Sequence, residues 1–160
     1  MNRKGWAPSA FSCIIEMGDP MEYQVESIID APAHTAFKAY TDPQQMKKWI
    51  MNLSDIVSYE GELFMKHSYG KLIFSGDGIH EMDVYVSEYT KDQLIEFIYS
   101  VPGVVNKVKC HFESQQQQTR FLMDVVFIFD DPHDLPLEQF VESTRKSMKA
   151  FKDFIENEVK

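Results

Sequence analysis

The sequence predicts an α+β domain: a curved antiparallel sheet of about six or seven strands wrapped around a long C-terminal helix, with two short helices after the first strand. Three observations predict it. Strand-like segments fill residues 56–129 without an intervening helix, which implies antiparallel neighbours. The chain closes on a segment whose apolar residues recur at helical spacing. Two breaks, at Ala31-Pro32 and Thr41-Asp42-Pro43, cut out two short helices directly after the first strand. A helix with one apolar stripe and a sheet with one apolar face solve each other's burial problem by packing together.

The first strand spans residues 21–30, with Tyr23, Val25, Ser27 and Ile29 on one face and Gln24, Glu26 and Ile28 on the other. Pro32 stops it, and a helix follows over 33–40. Asp42 suits the N-cap of a second helix, and Pro43 suits its first position, where no backbone N–H is needed. This helix runs to about residue 51. Further strands are expected at 56–59, 63–67, 72–79, 82–89, 93–99, 104–113 and 119–129. Thr90-Lys91-Asp92, Pro102-Gly103 and the polar run Gln115 to Gln118 mark turns between them. The last strand alternates most clearly: Phe121, Met123, Val125, Phe127 and Phe129 face one way, Arg120, Leu122, Asp124, Val126 and Ile128 the other. In the long helix, Asp134 stands near the N-cap and Pro136 in the first turn. Its stripe is Leu137, Phe140, Val141, Thr144, Met148, Phe151, Phe154 and Ile155.

A chain of 160 residues suits one domain, and one core at this length needs no disulfide or metal staple. Residues 1–20 lack periodicity and end at Gly18-Asp19-Pro20, so they read as an N-terminal appendage to a domain over 21–160. The formal net charge of −9 disfavours nucleic acid and polybasic membrane contacts. No apolar run reaches the roughly 18 residues of a membrane span. Cys13 and Cys110 form no CxxC, and the segment before Cys13 makes a poor signal peptide or lipobox, so a reducing cytoplasm is expected. Twelve Phe and nine Met supply bulky, adaptable apolar material, either for a thick core or for the lining of a cavity.

Residues 28–49 carry a motif: strand, Asp30-Ala31-Pro32, then Phe37, Thr41-Asp42-Pro43 and Trp49. It resembles the START-like superfamily, also called SRPBCC or the helix-grip, birch-pollen-allergen fold. The similarity is closest to the branch named for the activator of the heat-shock-protein-90 ATPase. Element order extends the resemblance over about 21–158. The Gly-rich turn common in that branch after the second strand has Ser68-Tyr69-Gly70 and Gly76-Asp77-Gly78 as its nearest counterparts. The resemblance implies a cavity between sheet and long helix, used in different members for lipids, sterols, polyketides or hormones, for cyclase or dehydratase chemistry, or for protein binding.

On the residues themselves, chemistry is sparse. His34, His67, His80, His111 and His133 show no metal-ligand spacing, and no nucleophile elbow or phosphate-binding loop occurs. No cofactor is expected. Alternation turns Asp124, Glu96 and His111 away from the apolar face, leaving an acid–base enzyme short of groups unless the register is reversed. The expected cavity liners are Tyr85, Phe97, Tyr99, Phe112, Met123, Val125, Phe127, Thr144, Met148 and Phe151. The favoured reading is binding of an apolar or amphipathic small molecule, lipid-like or polyketide-like. The alternatives are a protein-interaction module or chaperone regulator, including a homodimer, and a cyclase- or dehydratase-like enzyme.

Overall fold

The computed structural model describes residues 20–77 and 80–159. The expected appendage therefore lies outside the described residues, apart from Pro20, as does the second glycine of Gly76-Asp77-Gly78. The chain runs β1 (Met21–Ile29), α1 (Ala33–Thr41), α2 (Pro43–Trp49), β2 (Leu53–Glu60), β3 (Tyr69–Phe74), β4 (His80–Thr90), β5 (Leu94–Val101), β6 (Val104–Gln115), β7 (Gln118–Phe129) and α3 (Leu137–Phe154), which ends in a π-helical turn, Ile155–Val159. One seven-stranded sheet has the order β1-β7-β6-β5-β4-β3-β2, and every pairing is antiparallel.

That order explains the two short helices. The first strand pairs with the last, at one edge, while β2 lies at the other edge. The chain must cross the full width of the sheet between them, and α1 and α2 make that crossing. On the way α1 packs on β6 and β7, and α2 packs on β2 and α3. Asp42 caps α2 as its sequence position suggests: its side chain accepts from Gln44 N at 3.0 Å. Replacing Asp42 with Ala is expected to cost about 1 kcal/mol, the usual value of an N-cap, read as a lowered urea midpoint at unchanged slope.

The concave face holds the core. Val25, Ile29, Val84, Val86, Ile95, Phe97, Val108, Cys110, Phe112, Phe121, Met123 and Val125 are buried there, against Phe37 and Tyr40 of α1, Met46 of α2, and Val141, Met148, Phe151 and Phe154 of α3. The convex face carries charge in cross-strand pairs: Lys109 with Glu88 (3.0 Å), Lys107 with Glu96 (3.5 Å), His111 with Asp124 (3.1 Å), and Arg120 with both Glu26 (2.6 Å) and Glu113 (2.9 Å). A small apolar patch of Ile98, Val105 and Ile128, with Tyr85 and Val126 against it, interrupts that face.

Three expectations need correction. Residues 63–67 form turns, not a strand: Phe64 and His67 have φ of 63° and 68°, a left-handed backbone that no strand accommodates. The turn drives the Phe64 ring edge-on against Phe97, centroids 5.3 Å apart, so the apolar residue is buried without being in a strand. The strand expected over 72–79 is β3, which starts earlier and ends at Phe74. The long helix begins at Leu137, with Pro136 in the capping position and no side-chain cap, so Asp134 lies outside it and Leu137 is exposed.

The C-terminal end of α3 is tied to the end of β1. Glu156 accepts from the backbone N–H of Asp30 and from Lys152 Nζ, each at 2.8 Å, and Lys152 also donates to the carbonyl of Ile28. The Lys152 ammonium, helped by the Asp30 N–H, holds the Glu156 carboxyl below its ordinary 4.5. A carboxyl depressed in the folded state adds stability above its unfolded pKa, and that contribution fades as pH falls through the folded value. Glu156→Gln is therefore expected to cost less than about 1 kcal/mol at neutral pH and progressively less as pH falls through the folded pKa, read as urea midpoints of variant and parent converging on acidification.

Candidate functional site: a cavity between the sheet and the long helix

A cavity of about 390 Å³ lies between the concave face of the sheet and α3. Packed interiors seldom leave voids larger than a water molecule, so the surrounding elements hold open a space that ordinary packing would fill. Its closed end is aromatic. Tyr40 of α1 stacks on Trp49 of α2 at 5.4 Å, and Phe151 of α3 contacts Tyr40 (5.1 Å), Trp49 (4.8 Å) and Phe121 of β7 (5.2 Å). The Trp49 indole is fixed by donating to the Ala39 carbonyl at 3.1 Å. Leu72, Val108, Met123, Val125 and Met148 make the side walls. The mouth lies between α3 and the α2–β2 connection, where Met51 is 82% exposed opposite Ser143, Lys146, Ser147 and Ala150.

Of the residues expected to line it, Tyr99, Met123, Val125, Phe127, Thr144, Met148 and Phe151 stand on its wall. Phe97, Phe112 and Tyr85 do not. Phe97 and Phe112 face the concave side, as alternation requires, but other rings cover them. Phe64, Tyr40 and Tyr99 pack on Phe97, and Phe37, Tyr40 and Phe121 pack on Phe112. Tyr85 is on the convex face: Val84 and Val86 take the inward positions of β4, and the Tyr85 hydroxyl meets His67 Nδ1 at 2.8 Å. Aromatic size misled there, because the smaller apolar residues alternate inward.

Several wall residues lay beyond the reach of sequence patterns. Tyr40 and Trp49 come from the short helices, and Ile50 and Met51 from the connection to β2, where strand alternation carries no signal. Phe74 and Met82 lie within the strands expected at 72–79 and 82–89, and Met82 shares the inward face with Val84 and Val86, opposite Tyr85. Asn106 did have a signal: it is a polar side chain set between apolar ones in the β6 row Val104, Asn106, Val108, Cys110, Phe112.

The chemistry of the wall is mild. Among the described residues it includes no carboxylate and no imidazole, and its ionisable groups are Tyr40, Tyr99 and Lys146. Burial pushes both phenols up, far from any role as a base near neutrality. Tyr40 Oη accepts from Cys110 Sγ at 3.3 Å, and burial pushes that thiol up to about 12, so it stays protonated. Tyr23 donates to the Phe140 carbonyl (3.2 Å) and so accepts from the Thr144 hydroxyl (2.7 Å), which engages the one hydroxyl expected on the helix stripe. The side chains of Tyr99 and Asn106 have no hydrogen-bond partner among the described residues, and Asn106 Oδ1 is fully shielded from solvent. Asp124, Glu96 and His111 all lie on the convex face. Asp124 accepts from Gln24 at 2.7 Å and meets His111, while Glu96 accepts from Ser87 at 2.6 Å.

No family model matches the chain, and no curated protein matches its sequence. Solved structures do match its shape. Ara h 8.0201 superposes with a TM-score of 0.72 at 17% identity, over 86% of this chain and 98% of that one. The Zhui aromatase/cyclase from Streptomyces sp. R1128 gives 0.71 at 12% identity, over 89% and 97%. The Mll3558 protein from Rhizobium loti gives 0.70 at 18% identity, over 84% and 96%. The chain has the helix-grip fold that these structures share. No helix among the described residues is long and apolar enough to cross a membrane.

Proposed function

We infer that this protein binds an apolar or amphipathic small molecule, lipid-like or polyketide-like, in the cavity beneath α3. The observation that carries this reading is the open, apolar-walled space of about 390 Å³, within the roughly 300–1,000 Å³ range of small-molecule sites. Its walls come from elements that also pack against one another in the core. Tyr99, Met123, Val125, Phe127, Thr144, Met148 and Phe151 are the proposed contacts among the expected liners, with Asn106 and Trp49 added. Similarity of fold to the Zhui aromatase/cyclase is compatible with a planar, ring-bearing guest. The lack of a wall carboxylate or imidazole favours holding over acid–base turnover.

Native mass spectrometry of gently purified protein tests this reading. The expected spectrum carries extra mass that denaturation removes, and that mass identifies the guest. An apo mass, together with no saturable uptake of an uncharged apolar fluorophore by delipidated protein, would overturn it.

A further inference from the structure

We propose that Tyr99 and Asn106 form a neutral hydrogen-bonding subsite selecting guests that bear a hydroxyl, an alcohol or a phenol, on an otherwise apolar body. The inference rests on the cavity being a binding site and adds the chemistry of what it selects.

Tyr99 of β5 and Asn106 of β6 are directly paired across the two strands, so their side chains stand next to each other on the concave face. Both reach the cavity wall. Buried polar groups in folded proteins nearly always have partners, and one that lacks them calls for an explanation. Among the described residues an amide oxygen shielded from solvent has none here, and the phenol beside it has none either. The next residues along these strands on the same face are Phe97 and Val108, and Phe127 flanks Asn106 on β7, so apart from the pair itself these strand neighbours offer no hydrogen bond.

The pair is selective by its chemistry. Asn106 presents one acceptor and two donors, and Tyr99 presents one donor and an acceptor. A hydroxyl both donates and accepts, so it satisfies Asn106 Oδ1 while taking a hydrogen bond from Tyr99. An ether or ketone only accepts and leaves the amide oxygen unmet. A carboxylate here would be buried beside two neutral groups, since the one cation among the described wall residues, Lys146, stands exposed at the mouth. Neither Asn106 nor the upshifted phenol of Tyr99 changes charge near neutrality, so the preference holds across the ordinary pH range.

Calorimetric titration of the delipidated protein with 2-naphthol, 2-methoxynaphthalene and 2-naphthoate tests the proposal. The naphthol is expected to bind roughly five- to tenfold tighter than the methyl ether, the usual scale for one desolvated hydrogen bond, and tighter than the naphthoate. In Asn106→Leu the naphthol-to-ether ratio should fall to about one while the ether binds as before, and Tyr99→Phe should reduce the ratio in the same way. A merely structural role for Asn106 would weaken all probes together and leave the ratio intact. Equal binding of naphthol and ether by the unaltered protein overturns this subsite while leaving the cavity reading standing. Preference for the naphthoate also overturns it and moves recognition to Lys146. Binding of none of the three overturns the subsite, and the cavity reading falls with it where the uncharged apolar fluorophore also fails to bind.

Discussion

Replacing Phe151 with alanine is expected to destabilise the protein by about 3–5 kcal/mol, the cost of removing a buried ring together with the hole it leaves. Phe151 is 0% exposed in the C-terminal part of the stripe on α3. Its ring touches one aromatic from each of three other elements: Tyr40 of α1, Trp49 of α2 and Phe121 of β7. Tyr40 makes the same junction from α1, through Trp49, Phe151 and Phe121, so the two rings together tie the long helix, both short helices and the sheet. The neighbours cannot close over the gap, because Tyr40 is held by Cys110 and Trp49 by the Ala39 carbonyl, and the space beyond is already empty. The loss should therefore fall in the upper part of the range. Urea unfolding measures it, with an unchanged slope showing that the folded state stays compact. Lys149→Ala, on the solvent face of the same helix, should change stability by less than about 0.5 kcal/mol. A loss below about 1 kcal/mol for Phe151→Ala would mean that α3 does not depend on this hub.

How much of this was legible in the sequence depends on which periodicity was in force. The β7 and β1 alternations were each legible with the correct faces, because one side of each strand is buried and a one-residue slip would invert every side chain, and the α3 stripe was legible except at Leu137, which is exposed. The Asp42-Pro43 start of α2 was legible because capping is local chemistry. Residues 63–67 were not, because Leu63, Phe64 and Met65 look like a strand, while the fold uses positive φ at Phe64 and His67 to turn the chain. The cavity was legible only as a consequence of fold resemblance. Whether Phe or Met fills the space under a helix is decided by rotamers and by rings arriving from distant segments. Tyr40 and Phe64 settle it here by covering Phe97 and Phe112, and neither lies in the strands where liners were sought. The sparse chemistry of the wall, in contrast, followed from alternation alone, which sent Asp124, Glu96 and His111 outward, where they join a charged convex face.

Val125→Trp should abolish guest binding, weakening it by at least tenfold, while lowering stability by no more than about 1–2 kcal/mol. Val125 lies at the middle of the cavity wall, between Met123 and Phe127 along β7, with Tyr23 and Val108 as its cross-strand partners. In a filled core, so large an increase forces rotamers and backbone apart, at about 1–3 kcal/mol or more. Here the added ring has empty space in front of it, so the strain is partly offset by new contacts with walls that previously faced none. A buried indole also needs an acceptor for its N–H, and the unpartnered Asn106 Oδ1 sits diagonally across on β6. The two readouts together separate the possibilities for this fold. Binding lost with stability kept means that the guest occupies the space beneath α3. Binding kept with stability kept means that guests bind elsewhere on the molecule. A loss above about 3 kcal/mol would mean that side chains already fill that space in solution, because only a closed core resists an added ring so strongly.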